Sequence, residues 1–315
     1  LLHGAMTGRI SIGMFLAFFQ TTLTIVDTIN SLLETFGNFS REIQELSYLS
    51  AFFRLENMPV QKGCLDKPVR RIRFEHVCFT YPCSEKEVLH DINFELDVSQ
   101  STAVVGENGS GKTTIIKLLC GLYQPTSGRI LFDDCDLKNL SSSEIGKVIK
   151  VVFQDFFQYE MTIRENIGFG NLDRISHDME LQNVLDAVHL EELKRLGLDT
   201  PLGKLEPAGI DLSRGQWQRL AVSRIFLNDT GFAVLDEPTA SVDPVSEYNM
   251  YRLFYSLLKF RGSLMISHRL ASAKMADHIL VLKNGTITEQ GNHTELMKNQ
   301  GLYHELFCRQ AKWYQ

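Results

Sequence analysis

The residues with the clearest chemistry are Gly106-Glu107-Asn108-Gly109-Ser110-Gly111-Lys112-Thr113. They fit G-x-x-x-x-G-K-[ST], in which glycines let successive backbone N–H groups turn toward one anion. A helix beginning at the end of this loop adds the partial positive charge of its N-terminus. In such a loop Lys112 reaches the β- and γ-phosphates of a nucleotide, and Thr113 offers its hydroxyl to Mg²⁺. A second acidic element, Asp236-Glu237, ends the apolar run Phe232-Ala233-Val234-Leu235. Asp236 is suited to holding Mg²⁺ through its water shell, and Glu237 to orienting or deprotonating an attacking water. Alone, an Asp-Glu pair after a strand is a common solvated turn; beside a phosphate loop it becomes a metal and water site.

Such a site needs a strand before the loop, a helix after it, and a second strand to deliver the acid to the same sheet edge. The sequence supplies these. Thr102-Ala103-Val104-Val105 reads as a buried parallel strand. Thr113 to Leu122 reads as a helix, ended by Pro125. Ile72, Phe74, Val77 and Phe79 mark an earlier strand, and Asp91 to Leu96 alternates apolar and polar residues. Further strands are expected at Lys150–Phe153, Phe232–Leu235, Ser263–Ser267 and His278–Leu282, with helices at Met179–Leu196 and Arg214–Phe226. Strands alternating with helices predict an α/β layered domain.

The first third differs. Ile10 to Val26 is an uncharged run rich in Phe, Leu and Ile, close to the shortest stretch that crosses a bilayer. Apolar residues then continue at helical spacing through Ile29, Leu32, Leu33, Phe36, Phe39, Ile43, Leu46, Leu49 and Phe52, toward Met58-Pro59. A continuous helix from Arg9 to Asn57 would be about 70 Å long, more than twice a hydrocarbon core, and would run on into water. Gln20, Thr21, Thr22 and Thr24 leave two readings open: a membrane helix lining a polar path, or a long amphipathic core helix of a soluble protein.

Of 315 residues, 32 are Lys or Arg and 38 Asp or Glu, a formal net charge of −6, without the basic surplus of a dedicated DNA binder. The ordinary apolar content excludes wholesale disorder. The cysteines are scattered without a C-x-x-C pair, which predicts reduced core thiols rather than a disulfide frame. The chain begins at Leu1 with no basic leader, which points to the C-terminal part of a longer polypeptide.

Leu212-Ser213-Arg214-Gly215-Gln216 resembles the signature of ATP-binding cassette (ABC) proteins, and other stretches fall in that family's order. Tyr81 resembles the aromatic that stacks on adenine. Gln154, in Val152-Phe153-Gln154-Asp155, resembles the Q-loop glutamine. Ser241-Val242-Asp243 resembles the D-loop, and His268, in Ile266-Ser267-His268-Arg269, the switch histidine. The resemblance implies a P-loop cassette with a mixed sheet core, an antiparallel β subdomain and an inserted helical subdomain, preceded by a long transmembrane and cytoplasmic helix. It implies ATP bound by Tyr81, by Gly106 through Thr114, and by Ser213, Gly215, Gln216 and Asp243 of the cassette dimer. It places Mg²⁺ at Thr113, Gln154 and Asp236, and catalysis at Glu237, His268 and Gln154.

By the same resemblance, residues 1–58 are the end of the membrane domain of an exporter-type half-transporter, 59–69 a linker and 70–305 the nucleotide-binding domain. Its helical subdomain covers about 155–227, and 306–315 form a tail. The implied partners are a second copy or a homologous half-transporter docked head-to-tail, the membrane and a transported substrate, with no nucleic acid. The implied location is the cell membrane, multi-pass in the full protein, with the nucleotide-binding domain in the cytoplasm. Arg214 departs from the family's usual glycine and resembles exporters of modified peptides, including lantibiotics. A soluble cassette ATPase of DNA repair or translation fits the acidic charge and apolar N-terminus less well. A catalytically weak nucleotide-binding subunit fits poorly with Lys112, Asp236, Glu237 and His268 all present.

Overall fold

The computed structural model describes residues 11–54, 65, 67–227, 231–236, 251–256, 261–267 and 270–311. The chain divides into two compact units, Leu1–Val60 and Gln61–Gln315.

The first unit is dominated by helix α1, Ile12–Phe53, capped at its start by Ser11, whose hydroxyl accepts from the Met14 amide at 3.3 Å. It ends at Phe53, short of the Asn57 expected from the apolar spacing; residues 55–64 lie outside the described residues. Its large apolar side chains are exposed along its length, from Met14 to Phe53. Among the described residues it is one helix long and apolar enough to cross a membrane. The threonines that left the reading open are locally satisfied. Thr21, Thr22 and Thr24 donate to the carbonyls of Ala17, Phe18 and Gln20 at 2.8, 2.8 and 3.0 Å. A hydroxyl bonded back to its own helix makes no demand on water, so these residues do not weigh against an apolar surrounding.

The second unit holds two sheets. An antiparallel sheet has the order β2-β1-β4-β5, from β1 Arg71–Thr80, β2 Glu87–Asp97, β4 Ser127–Phe132 and β5 Cys135–Asp136. Strands β1 and β2 both bury Phe, Ile, Leu or Val side chains, but the alternation skips at Phe74/Val77 and at Leu89/Ile92. A bulge explains the skip. His76 and Asp91 both take left-handed backbone angles there, and His76 Nδ1 lies 2.7 Å from Asp91 Oδ1. Phe74 pairs with Phe94 in register, their rings stacked at 4.4 Å.

The larger sheet has the order β10-β9-β3-β8-β7-β6. Its strands are β3 Ser101–Gly106, β6 Ile149–Val152, β7 Phe232–Asp236, β8 Ser263–Ile266, β9 His278–Lys283 and β10 Thr286–Gly291. Strands β6, β7, β8, β3 and β9 run parallel, and β10 returns antiparallel, so the sheet is mixed. Helix α2, Lys112–Leu119, buries Ile115, Ile116, Leu118 and Leu119 in the core it shares with both sheets. Strands β4, β5 and β10 are absent from the sequence reading, because their short, polar or glycine-bearing runs carry little alternation.

Helix α3, Ser142–Val148, leads into β6. Between β6 and β7, helices α4 Ile163–Gly168, α5 Asp178–Ala187, α6 Glu191–Leu196 and α7 Arg214–Phe226 enclose a separate apolar cluster, with Leu181, Leu185, Trp217 and Leu220 buried. The single helix expected over Met179–Leu196 is two. His189 takes a left-handed angle (φ 54), which ends α5 and lets the chain restart at Glu191. After β8, the short helix α8 is Leu270–Ala273. Helix α9, His293–Asn299, and helix α10, Leu302–Ala311, close the chain, so the boundary expected after residue 305 falls inside a helix.

Four of the cysteines, Cys78, Cys83, Cys120 and Cys308, are free. Cys135 is disulfide-bonded, contrary to the expectation of reduced thiols throughout.

The helical segment is pinned by one buried amide. Asn166 is fully buried; its Nδ2 donates to the carbonyls of Tyr159 at 2.9 Å and Thr162 at 3.1 Å, and its Oδ1 accepts from Arg224 at 3.0 Å. Removing it strands two carbonyls and part of a largely buried guanidinium. Asn166→Ala is expected to cost about 2–4 kcal/mol, read as a lower denaturant midpoint with an unchanged slope.

Candidate nucleotide site

The parallel strands fix where this site can form. Val104 of β3 pairs with Ile266 of β8, and Ile266 pairs with Asp236 of β7. Val152 of β6 pairs with Leu235. The C-terminal ends of β3, β8, β7 and β6 therefore lie along one edge, and each hands its chain to a residue singled out above. Gly106 to Thr113 leave β3, Ser267 leaves β8, Asp236 ends β7 and Gln154 follows β6. This is the edge at which open α/β sheets bind ligands. Glu237, Asp243 and His268, expected at the same edge or in the loops beyond it, lie outside the described residues.

The phosphate loop depends on its first glycine. A Cβ on Gly106 would collide with the carbonyl oxygen of Leu282 on the neighbouring strand β9, and its φ of +154 is one that side chains rarely adopt. Gly111, with φ +106, is the residue before α2, and a Cβ there would stand 2.6 Å from Leu89 Cδ2. Glu107, Asn108 and Gly109 are exposed at the rim, while Ser110, Lys112 and Thr114 are buried. The Lys112 ammonium donates to the carbonyls of Gly106 at 3.0 Å and Glu107 at 2.8 Å, which holds it inside the curl of the loop. Ser110 Oγ is buried with no hydrogen-bond partner. A cleft of about 240 Å³ is lined by Asn108, Gly109, Gly111, Lys112, Thr113, Thr114 and Val88. Val88, from β2, has no signal in the sequence beyond its place in an apolar strand. Glycines that exclude a Cβ, a buried ammonium and an orphaned hydroxyl suit a phosphate chain.

The Thr113 hydroxyl donates to Asp236 Oδ1 at 3.4 Å, and Asp236 is buried. Two hard oxygen donors thus converge beside the loop, as a Mg²⁺ site with few protein ligands requires. The charge of Asp236 and, more strongly, burial push the nearby Cys120 thiol up to about 12, so it stays neutral. Gln154 is exposed in the turn after β6. Tyr81 is half-buried. Its ring packs edge-on against Phe79 and Tyr123, its hydroxyl lies 3.0 Å from Thr114 Oγ1, and Lys117 Nζ sits 5.4 Å from its centroid. It does not line the cleft around the loop.

The signature residues stand elsewhere, at the start of α7. Ser213 caps the helix, accepting from the Gln216 amide at 3.3 Å, while Gln216 Oε1 accepts from the Ser213 amide at 2.8 Å. Gln216 Nε2 donates to Glu192 Oε2 at 3.0 Å. Arg214 is exposed, and a Cβ on Gly215 would meet nothing within 4 Å. None of their hydrogen bonds reaches the phosphate loop. This chain's own packing gives no reason for glycine at 215.

Residues 89–240 match the family described as ABC transporter. Over 97% of its length the chain is 35% identical to the subtilin transport ATP-binding protein SpaT of Bacillus subtilis, of which it covers 50%. It is 33% identical over 95% of its length to the nisin transport ATP-binding protein NisT of Lactococcus lactis, covering 51% of that protein. An ATP-dependent lipid A-core flippase of Nitrosococcus oceani is 35% identical over 98% of the chain, with 52% of the flippase covered. A bacterial Atm1-family ABC exporter, solved with ATP bound, superposes with a TM-score of 0.73 at 30% identity, over 85% of this chain and 47% of that one. The chain thus spans about half the length of the relatives it matches.

Two substitutions test the loop. Gly106→Ala must push β3 and β9 apart and is expected to weaken nucleotide binding at least tenfold, measured with a fluorescent ATP analogue. Lys112→Ala is expected to abolish binding in the same assay while leaving the thermal transition within a few degrees of the parent.

Proposed function

Because the chain belongs to the ABC transporter family, we propose that it is the C-terminal part of an exporter that binds and hydrolyses MgATP between two cassettes. In this reading residues 1–58 end the membrane domain of a multi-pass protein, 59–69 link it, and 70–305 form the nucleotide-binding domain, with 155–227 as its helical insertion and 306–315 as a tail. The observation that carries it is the separation of the two half-sites: a phosphate loop at the edge of the parallel strands, and a signature at the start of α7 with open space over Gly215. A glycine that nothing in its own chain requires is explained by something outside that must approach closely.

The roles follow from the geometry. The loop amides and Lys112 bind the phosphates. Thr113 and Asp236, with Gln154, hold Mg²⁺, which neutralises phosphate charge when bound. Glu237 takes the proton of the attacking water, and His268 contacts the γ-phosphate. Tyr81 carries the adenine, with Lys117 beside its ring. From a second copy or homologous partner, Ser213, the Gly215 amide, Gln216 and the D-loop residue Asp243 complete the site, the positive end of α7 facing the phosphate. ATP binding closes the pair and hydrolysis reopens it, a ligand-driven shift between two states. The apolar, outward-facing α1 supports a membrane location. A peptide cargo is supported by Arg214 in the signature and by relatives named for subtilin and nisin transport.

Glu237→Gln is expected to leave ATP binding intact and lower turnover by about a hundredfold or more; unchanged hydrolysis would remove Glu237 as the base. Mixing a Ser213→Ala, Gly215→Asp protein with a Lys112→Ala protein is expected to restore part of the hydrolysis that each lacks alone. Each mixed pair keeps one loop facing one intact signature. No recovery would refute a shared site.

A further inference from the structure

Helix α10 is fastened at both ends, and the far end reaches the nucleotide edge. At its start the Glu289 carboxylate, from β10, accepts from the amides of Leu302 and Tyr303, two donors that a helix N-terminus leaves unpaired. Tyr303 is fully buried, with its hydroxyl 2.8 Å from His293 Nδ1. Leu306 and Phe307 pack on the cluster that contains Ala103 and Val105 of β3 and Val281 of β9. In the last turn, Gln310 Oε1 accepts from the Leu270 amide at 2.9 Å. Leu270 is the first residue of α8, so its amide is one of that helix's orphan donors, met by a side chain forty positions downstream rather than by a local cap.

Leu270 lies three residues beyond Ser267, at the end of β8, and Ser267 is itself tied to Ser272 of α8 by a 2.7 Å hydroxyl contact. A cleft of about 350 Å³ is lined on one side by Gly106, Glu107 and Asn108 of the phosphate loop, and on the other by Ser267, Leu270, Leu306, Arg309 and Gln310. We propose that Gln310 is a positioning residue of the nucleotide site: its carboxamide fixes where α8 begins, and with it the short connection from β8 that runs beside the phosphate loop. Helix α10 then belongs to the ATPase machinery as a strut from β10 to the nucleotide edge, not to a dispensable tail. The consequence for turnover rests on the reading above in which His268, in that connection, contacts the γ-phosphate.

The test uses the intact transporter in lipid nanodiscs. Gln310→Leu removes the acceptor at similar volume, and Gln310→Ser withdraws it without adding apolar bulk. Gln310→Glu keeps an acceptor oxygen. The first two are expected to lower kcat for ATP hydrolysis roughly fivefold, the weight of one hydrogen bond of about 1 kcal/mol, with KM for ATP within about twofold. Gln310→Glu is expected to retain more than half of kcat. Hydrogen exchange of the peptide spanning 268–274 should quicken in Gln310→Leu and Gln310→Ser but not in Gln310→Glu, while β3 and β9 stay protected. A Gln310→Glu protein as slow as Gln310→Leu, or unchanged kcat and exchange in both acceptor-removing variants, overturns the proposal. Full activity in His268→Ala beside a slow Gln310→Leu overturns the histidine reading and leaves the positioning role standing.

Discussion

The nucleotide edge depends on one steric constraint: the backbone of Gly106 must lie against the carbonyl of Leu282 as the chain leaves β3. Only a residue without a Cβ permits that approach, and only that approach lets the loop curl back above the strand ends and enter α2 with its amides gathered. Much else in the domain serves this one exit. Buried runs on β3, β7, β8 and β9 hold the parallel strands in a register that brings Gly106, Ser267 and Asp236 to a common edge. Helix α2 is anchored beneath by Ile115, Ile116, Leu118 and Leu119, so its N-terminus cannot drift from the loop.

What could be read in the sequence follows from which forces act locally. The phosphate loop, the acid after β7 and the Ser213 cap are short-range arrangements, and residue types at fixed spacing specify them. The fully buried strands β3, β7 and β8 show as continuous apolar runs. Where distant parts of the chain decide, the reading loses detail. The bulge at His76 and Asp91 appears in the sequence only as a missed beat in the alternation, because its geometry is set by two strands together. The break at His189 is one left-handed residue within a helical pattern. Strand β10 exists because β9 offers an edge, not because Thr286–Gly291 has strand character of its own. Val88 lines the phosphate cleft for a similar reason: β2 passes there, which no motif records.

Helix α1 poses a different problem of stability. Its exposed side chains include Phe18, Phe19, Leu23, Ile25, Leu32, Leu33 and Phe36. Leaving such groups in water forgoes about 1.5–3 kcal/mol each, far more than helix propensity could return. A helix of this composition is therefore held by an apolar surrounding that other helices or lipid must supply. Its threonines are compatible with either, because their hydroxyls are bonded back along the helix. This distinguishes α1 from the domain that follows, whose apolar side chains are enclosed in clusters of their own.

The two units meet different demands, and a device that couples them has to convert a local phosphate contact into a large displacement. The helical segment between β6 and β7 is built for that. It has its own apolar core and an internal polar brace at Asn166 and Arg224, so it can move as a body rather than deform. It is joined to the nucleotide edge through Gln154, immediately after β6, and it carries the signature at the start of α7. A rigid body whose hinge lies beside one phosphate and whose far tip reaches for another is biased by both ligands at once. Each half-site alone binds weakly because its missing donors stand on the partner, so the free energy of completing both is what drives closure. In that arrangement the connection between β8 and α8 must stay fixed while the helical segment swings, and a strut such as α10 on the opposite side of the sheet edge gives the moving body a stationary surface to close against.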